Sequence, residues 1–339
     1  WYKCMTDDTT VYLNLYPNNP HIPEAEHVEK FYISAYEATN VNNVLKSIND
    51  GTSVPLVSTN RVTMQQRARA NNSDTMNWNM YTYKAHRILT ILYLVEYADY
   101  NSQSKLGLGY TNGSHTAPIN SGGCDVLGMK SGSKDGTDNT SMIYRGIEDI
   151  FGNIWQFVDG INIKDRKAYI CYDSNKYAVD TFSGSYKALG YTNATANGFA
   201  SKLGYDSANP MVALATESAG SSDTNICDYY YQAEGDRIAL VGGGWLSATS
   251  TGLWCWYCVS DSAFSDIGVG ARLLIRDLMC FVPVCSSSYL LVSLLLSAVI
   301  GTTLPRLACG IGISITLPLI CGLPSVLDYL ICSLGTWCV

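Results

Sequence analysis

The chain has 339 residues, 47% of them apolar, and a formal net charge of -7 from 22 basic and 29 acidic side chains. That length holds one large domain or two ordinary ones with a sizeable core. Mild acidity without a basic run excludes a phosphate-tracking surface, so no nucleic-acid partner is expected. Tyrosine is abundant at 24 residues, and with Gly, Ser and Asn it composes adaptable recognition surfaces.

The opening WYKCMTDD has neither the basic nor the apolar region of a secretory signal, and residues 1–24 read as an N-terminal extension or fragment end. FYISAYEA (31–38) reads as a strand. Thr39 and Asn40 are placed to cap a short helix over 41–49, with Gly51 where a C-terminal cap belongs. A longer helix is expected over 82–98, where Ile88, Ile91, Leu92 and Val95 share a face that must pack on a sheet. Residues 101–140 and 183–225 are dominated by turn-formers and read as long loops of the kind that carry function or decorate one face. Further strands are expected over 153–163, 167–172, 238–243, 252–259 and 269–275 by their β-branched and aromatic content. There is no internal repeat. The fold class is therefore α+β with long loops.

Composition breaks at Asp277. Residues 277–339 carry only Asp277, Arg306 and Asp328 as charged side chains, against 48 of the 51 before them. Two uncharged stretches within 286–327 reach the roughly 20 residues of a bilayer-spanning helix, so a membrane hairpin turning at Pro305 and Arg306 is one reading. Pro318, Pro324 and the lack of flanking basic anchors stand against it, and the other reading of this apolar, Cys-rich tail is read-through or frameshifted translation. The six cysteines before it (Cys4, Cys124, Cys171, Cys227, Cys255, Cys258) show no framework spacing, and no disulfide scaffold is expected.

Several motifs frame residues 241–274. In DIFGNIWQFVDG, Gly152-Asn153 supplies a tight turn, and Trp155 and Phe157 follow on one side of a strand as core anchors. The adjacent Glu148 and Asp149 point apart and read as a solvated turn rather than an acid/base pair. GGGW (242–245) permits a bulge or close backbone approach; without a following Lys-Ser/Thr it is a poor phosphate cradle. GVGARLL (268–274) closes the domain as a buried strand in which Arg272 makes a structural pair.

Between these ends lies GLWCWYCV. On a strand, Leu253, Cys255, Tyr257 and Val259 share one face and Trp254, Trp256 and Cys258 the other. If only one face enters the core, a large aromatic set is left at the surface, which marks a binding site. Trp254 and Trp256 could instead be core residues of a two-sided strand. Cys255 and Cys258 form C-x-x-C, yet no second Cys pair or nearby His accompanies them, and a strand puts their sulfurs on opposite faces, so no metal is expected. His21, His27, His86 and His115 have no metal or triad spacing and read as surface or structural residues.

FYISAYEATN, VTMQQRARANN, GIEDIFGNIWQFVDGINI, GGGW and IGVGARLL, in this order over 25–276, resemble the formylglycine-generating-enzyme-like branch of the C-type lectin fold. The middle and closing motifs look most like the variable proteins of diversity-generating retroelements found in phages, prophages and bacteria. The resemblance implies a C-type lectin-like domain over 25–276 with a variable segment at 241–274. There, Leu246, Trp254, Trp256, Tyr257, Ser260, Phe264, Asp266 and Gly268 would be diversified, ligand-contacting positions. It further implies a non-catalytic receptor-binding or adhesion protein without cofactor, at a virion tail tip or bacterial surface. Its partner would be a host-surface protein or glycan, gripped by a homo-oligomer such as a trimer. Oxidases of this fold carry two cysteines two and seven residues past the aromatic of the GGS-aromatic motif. Here those positions are Ser247 and Gly252, which cannot form a thiolate metal site, so the oxidase alternative loses its chemistry. A membrane-anchored display protein is the remaining alternative.

Overall fold

The computed structural model describes residues 2–3, 31–73, 76–111, 116–122 and 141–277. The chain divides into two units, 1–280 and 281–339. The second unit, and with it the membrane-hairpin and read-through readings of the tail, lies outside the described residues, as does nearly all of 1–24. Among the described residues no helix is long and apolar enough to cross a membrane.

The described part is sheet-rich with few helices. With strands numbered in chain order, one sheet runs β1 (Tyr2–Lys3), β2 (Phe31–Val41), β19 (Arg272–Asp277), β4 (Met76–Met80), with β3 (Val44–Ser47) also paired to β2. The first long strand and the last among the described residues thus lie side by side, antiparallel. A second sheet runs β11 (Gly198–Phe199), β14 (Tyr229–Gln232), β17 (Gly252–Cys258), β16 (Leu240–Gly242), β7 (Trp155–Phe157), β18 (Val269–Gly270). A third runs β10 (Tyr186–Ala188), β9 (Lys167–Cys171), β8 (Ile161–Lys164), β15 (Asp236–Arg237). Two small hairpins, β5 (Ile143–Tyr144) with β6 (Ile147–Glu148) and β12 (Lys202–Leu203) with β13 (Ala215–Glu217), complete the described strands.

The expected helix over 41–49 is not formed. Strand β2 continues through Val41, and Asn42 and Asn43, both at positive φ (53° and 64°), turn the chain directly into β3. Two successive left-handed residues make the hairpin turn whose twist suits antiparallel strands, and Asn tolerates that conformation well. Thr39 and Asn40 therefore pair with Lys46 and Leu45 across the ladder instead of capping a helix.

Three α-helices occur among the described residues: α1 (Arg61–Arg69), α2 (Tyr83–Tyr97) and α3 (Ser102–Leu106). Asn60 caps α1 by accepting the Thr63 N–H at 3.0 Å. The buried Arg61 guanidinium ties this helix to the loop before β8 and to β8 itself, reaching Asp159 at 2.9 Å and Asn162 at 2.9 Å. Helix α2 matches the expected 82–98 element, with Thr82 as its N-cap and Ala98 in the left-handed region at its end. Its buried face differs from expectation. Tyr83, Ala85, His86, Leu89, Thr90 and Tyr93 point inward, while Val95 is 75% exposed and Ile88, Ile91 and Leu92 are half-buried. Tyrosine and histidine rings fill the wide gap to the second sheet, so the aromatic stripe outcompetes the aliphatic one.

Glu148 and Asp149 are buried rather than solvated. The reason is Arg272, whose guanidinium is itself buried and donates to the carbonyls of Ser34, Ala35, Glu148 and Asp149 and to Gln156 Oε1. One cation thereby joins β2, the β5–β6 hairpin, β7 and β19. Glu37 enters the same cluster, accepting from Asn153 Nδ2 at 2.7 Å. Burial, then the neighbouring Asp149, pushes the Glu37 pKa well above the carboxylate range; burial, then Glu148, does the same to Asp149.

Candidate functional site

The turn at Gly152-Asn153 has positive φ at both residues, and Trp155 and Phe157 project from β7 into one apolar cluster. Phe157 is fully buried there and Trp155 only partly. The GGGW glycines start the next segment: Gly242 and Gly243 have φ of 94° and 84°, and the β16–β17 register shifts between Val241 and Gly242. The frame around 241–274 is thus a turn, a bulge and a set of paired strands.

Strand β17 lies inside its sheet, parallel to β14 on one side and antiparallel to β16 on the other. Its side chains alternate as expected. Surface exposure does not follow the expectation, because Trp254 is only 2% exposed and Trp256 only 3%. Helix α2 covers their face. The Trp254 ring lies 5.6 Å from Tyr93 and 5.1 Å from Tyr100, and Trp256 meets His86 edge-on at 5.1 Å. These two tryptophans are core residues, and the positions they hold are unsuited to direct ligand contact.

Two buried titratable groups flank them. Asp228 accepts the Trp254 N–H at 2.8 Å, and burial raises its pKa to about 7. Burial lowers the His86 pKa to about 3, keeping the ring neutral beside Trp256.

The opposite face of the sheet carries the remaining aromatics. Tyr231 pairs with Tyr257 across the parallel β14–β17 ladder, and Leu240 and Trp155 continue the same face on β16 and β7. Ring centroids form a connected run: Phe199 to Tyr229 at 5.1 Å, Tyr229 to Tyr231 at 4.4 Å, Tyr231 to Tyr257 at 5.7 Å, and Tyr257 stacked on Phe264 at 6.2 Å. Trp155 sits against both Tyr231 (5.8 Å) and Tyr257 (5.5 Å). All six rings are half-buried, presenting part of their surface to solvent while their packing holds them in place.

Of the other residues expected at the site, Ser260, Asp266 and Gly268 lie in the segment around Phe264. Leu246 is 73% exposed and Ile267 57%. Asp266 is exposed and accepts the Gly268 N–H at 2.8 Å; Gly268 and Ser260 are half-buried. The Ser260 hydroxyl hydrogen-bonds the Tyr257 hydroxyl at 3.0 Å. Tyr257, Ser260 and Phe264 therefore lie on or beside the aromatic face, Asp266 follows Phe264 in the same loop, and Trp254 and Trp256 lie beneath the sheet. Four contributors were missed from the sequence: Trp155, taken for a core anchor, and Phe199, Tyr229 and Tyr231. The signal for the last two was DYYYQ (228–232), whose alternate tyrosines share one strand face.

Among the described residues no three His, Cys, Asp or Glu side chains are placed to hold a metal ion. Cys255 and Cys258 are buried on opposite faces of β17. Burial pushes the Cys258 thiol up to about 12 and Cys255 well above its usual value, so neither is a thiolate nucleophile or ligand at neutral pH.

No family model matches the chain, and no curated protein does. Its structural neighbours are variants of the Major Tropism Determinant. The M1 variant aligns at a TM-score of 0.31 and 13% identity, over 73% of this chain and 50% of that one. The U1 variant aligns at 0.32 and 15%, over 73% and 51%, and the I1 variant at 0.31 and 15%, over 73% and 50%. The chain spans about half the length of the structures it resembles.

Proposed function

We propose that this chain is a non-catalytic receptor-binding module whose contact surface is the aromatic face formed by Phe199, Tyr229, Tyr231, Trp155, Tyr257 and Phe264. The observation that carries this reading is the connected run of six half-buried rings across four β-strands of one sheet and an adjoining loop. Rings held by their neighbours lose little entropy on binding, and tyrosine and tryptophan dominate contact energies in such surfaces. Exposed Ile267, three residues after Phe264, adds apolar surface in the same loop, and Ser260 and Asp266 supply polar groups there.

The fold reading is the formylglycine-generating-enzyme-like branch of the C-type lectin fold, and the functional reading is that of a retroelement-diversified protein at a phage tail or bacterial surface. In that reading Leu246, Tyr257, Ser260, Phe264, Asp266 and Gly268 are the replaceable positions. Trp254 and Trp256 leave the set, because exchanging them would alter the core. Phe199, Tyr229, Tyr231 and Trp155 lie outside 241–274 and form the constant part of the surface. A symmetric homo-oligomer would multiply weak contacts of this kind into avidity.

The test compares the full chain with a Tyr231→Ser/Tyr257→Ser/Phe264→Ser variant for retention on a panel of intact bacteria of different species. Retention of the wild type on some species, lost at least tenfold in a folded variant, is the expected result. Equal retention of both would refute the surface assignment.

A further inference from the structure

The loop that carries Phe264, at the far end of the aromatic run, holds two carboxylates and is tied to a third. Phe264, stacked on Tyr257, lies in a loop that begins at Asp261, whose carbonyl accepts the Phe264 N–H at 3.2 Å. Asp266 follows two residues later. From a separate part of the chain, Asp180 is brought to the same loop by accepting the hydroxyl of Ser262. Asp180 holds a positive φ of 50°, which fixes the turn that delivers it. Residues 238–271 include no Lys, Arg or His, and among the described residues no ion pair involves Asp180, Asp261 or Asp266.

Such a border has a chemical preference. The faces of Tyr and Phe rings attract cations, and adjacent carboxylates add a charge-assisted hydrogen bond without first having to break an ion pair. A guanidinium suits both, since its plane stacks on a ring while its edge bonds a carboxylate. The protein makes one cation–ring contact of this kind nearby: the Lys164 ammonium lies 5.0 Å from the Phe182 ring, two residues from Asp180. The overall charge of -7 steers basic partners toward the chain.

Resting on the receptor-binding reading above, we infer that the partner is a protein segment presenting an arginine or lysine side chain, whose cationic head is held between the Tyr257 and Phe264 rings and the carboxylates of Asp180, Asp261 and Asp266. A neutral glycan would stack on the rings yet leave the carboxylates without a counter-charge. Complementarity therefore favours the basic protein segment.

The test follows backbone amide resonances of the full chain while millimolar N-acetyl-arginine amide, its uncharged isostere N-acetyl-citrulline amide, or methyl glucoside is added. Arginine amide should shift resonances in 257–268 with at least tenfold higher affinity than citrulline amide. A D180N/D261N/D266N variant should lose that advantage while keeping the spectrum of the remaining residues, because Asn preserves the side-chain acceptors of the turns. Equal affinity for arginine and citrulline, or shifts with glucoside alone, would overturn the cationic partner and leave the aromatic face standing as a binding surface. Shifts with none of the three probes would overturn the inference. The bacterial retention assay then decides separately whether the broader reading survives.

Discussion

Trp254 and Tyr257 stand three residues apart on one strand and face opposite sides of the sheet: the indole lies under Tyr93 and Tyr100, and the phenol stacks on Phe264. One belongs to the frame and the other to the surface it presents. Replacing Trp254 by Ala should lower the unfolding free energy by about 3–5 kcal/mol, the usual cost of emptying a large core site. Tyr257→Ser removes only a half-buried ring and should cost about 1–2 kcal/mol. Urea denaturation of the two variants checks this, and equal losses would contradict the assigned faces.

Asp228 makes stability depend on pH. Its folded pKa of about 7 lies above the unfolded value near 3.8, so folding favours the protonated acid. Stability from this group is intact below about pH 4 and is lost as pH rises to about 7, by up to about 4 kcal/mol. Asp228→Asn removes the titration. Measured as a difference in unfolding free energy, the variant should gain on the wild type between pH 4 and pH 7; a difference independent of pH would contradict the assignment.

Gly252 begins β17 with φ of 149°, and a Cβ at that position would lie 2.2 Å from the Asp228 carboxylate oxygens. Both the backbone angle and the missing side chain are required there. Gly252→Ala should therefore destabilise the protein by about 3 kcal/mol or more and displace the Asp228 contact to Trp254 N–H. Thermal unfolding reads the effect, and an unchanged melting temperature would show that the strand start is not so constrained.

Much of this architecture was legible in the sequence where a single local signal decided the outcome. The strand at FYISAYEA, the long helix near 82–98, the Gly152-Asn153 turn and the alternation in GLWCWYC each follow from local chemistry. Partners in space decided the remainder. Asn42-Asn43 made a hairpin because a second strand stood ready to pair, and α2 turned its tyrosines inward because the facing sheet offered Trp254 and Trp256. The candidate site was half legible for the same reason. Its contiguous segment 241–274 could be marked out, but Tyr229, Tyr231 and Phe199 join it only through strand pairing, which no periodicity within 241–274 encodes. The expected exposure of Trp254 and Trp256 failed because helix α2 covers their face of β17, whereas the face that carries Tyr257 is only partly covered.

The most direct test of the account is hydroxyl-radical footprinting of the full chain, free and bound to bacteria that retain it. Oxidation at Tyr231, Tyr257 and Phe264 should fall several-fold on binding, while the exposed Val95 and Tyr205 react as before. Protection of Val95 or Tyr205 with those three rings unchanged would place the contact elsewhere and contradict the aromatic face as the binding surface.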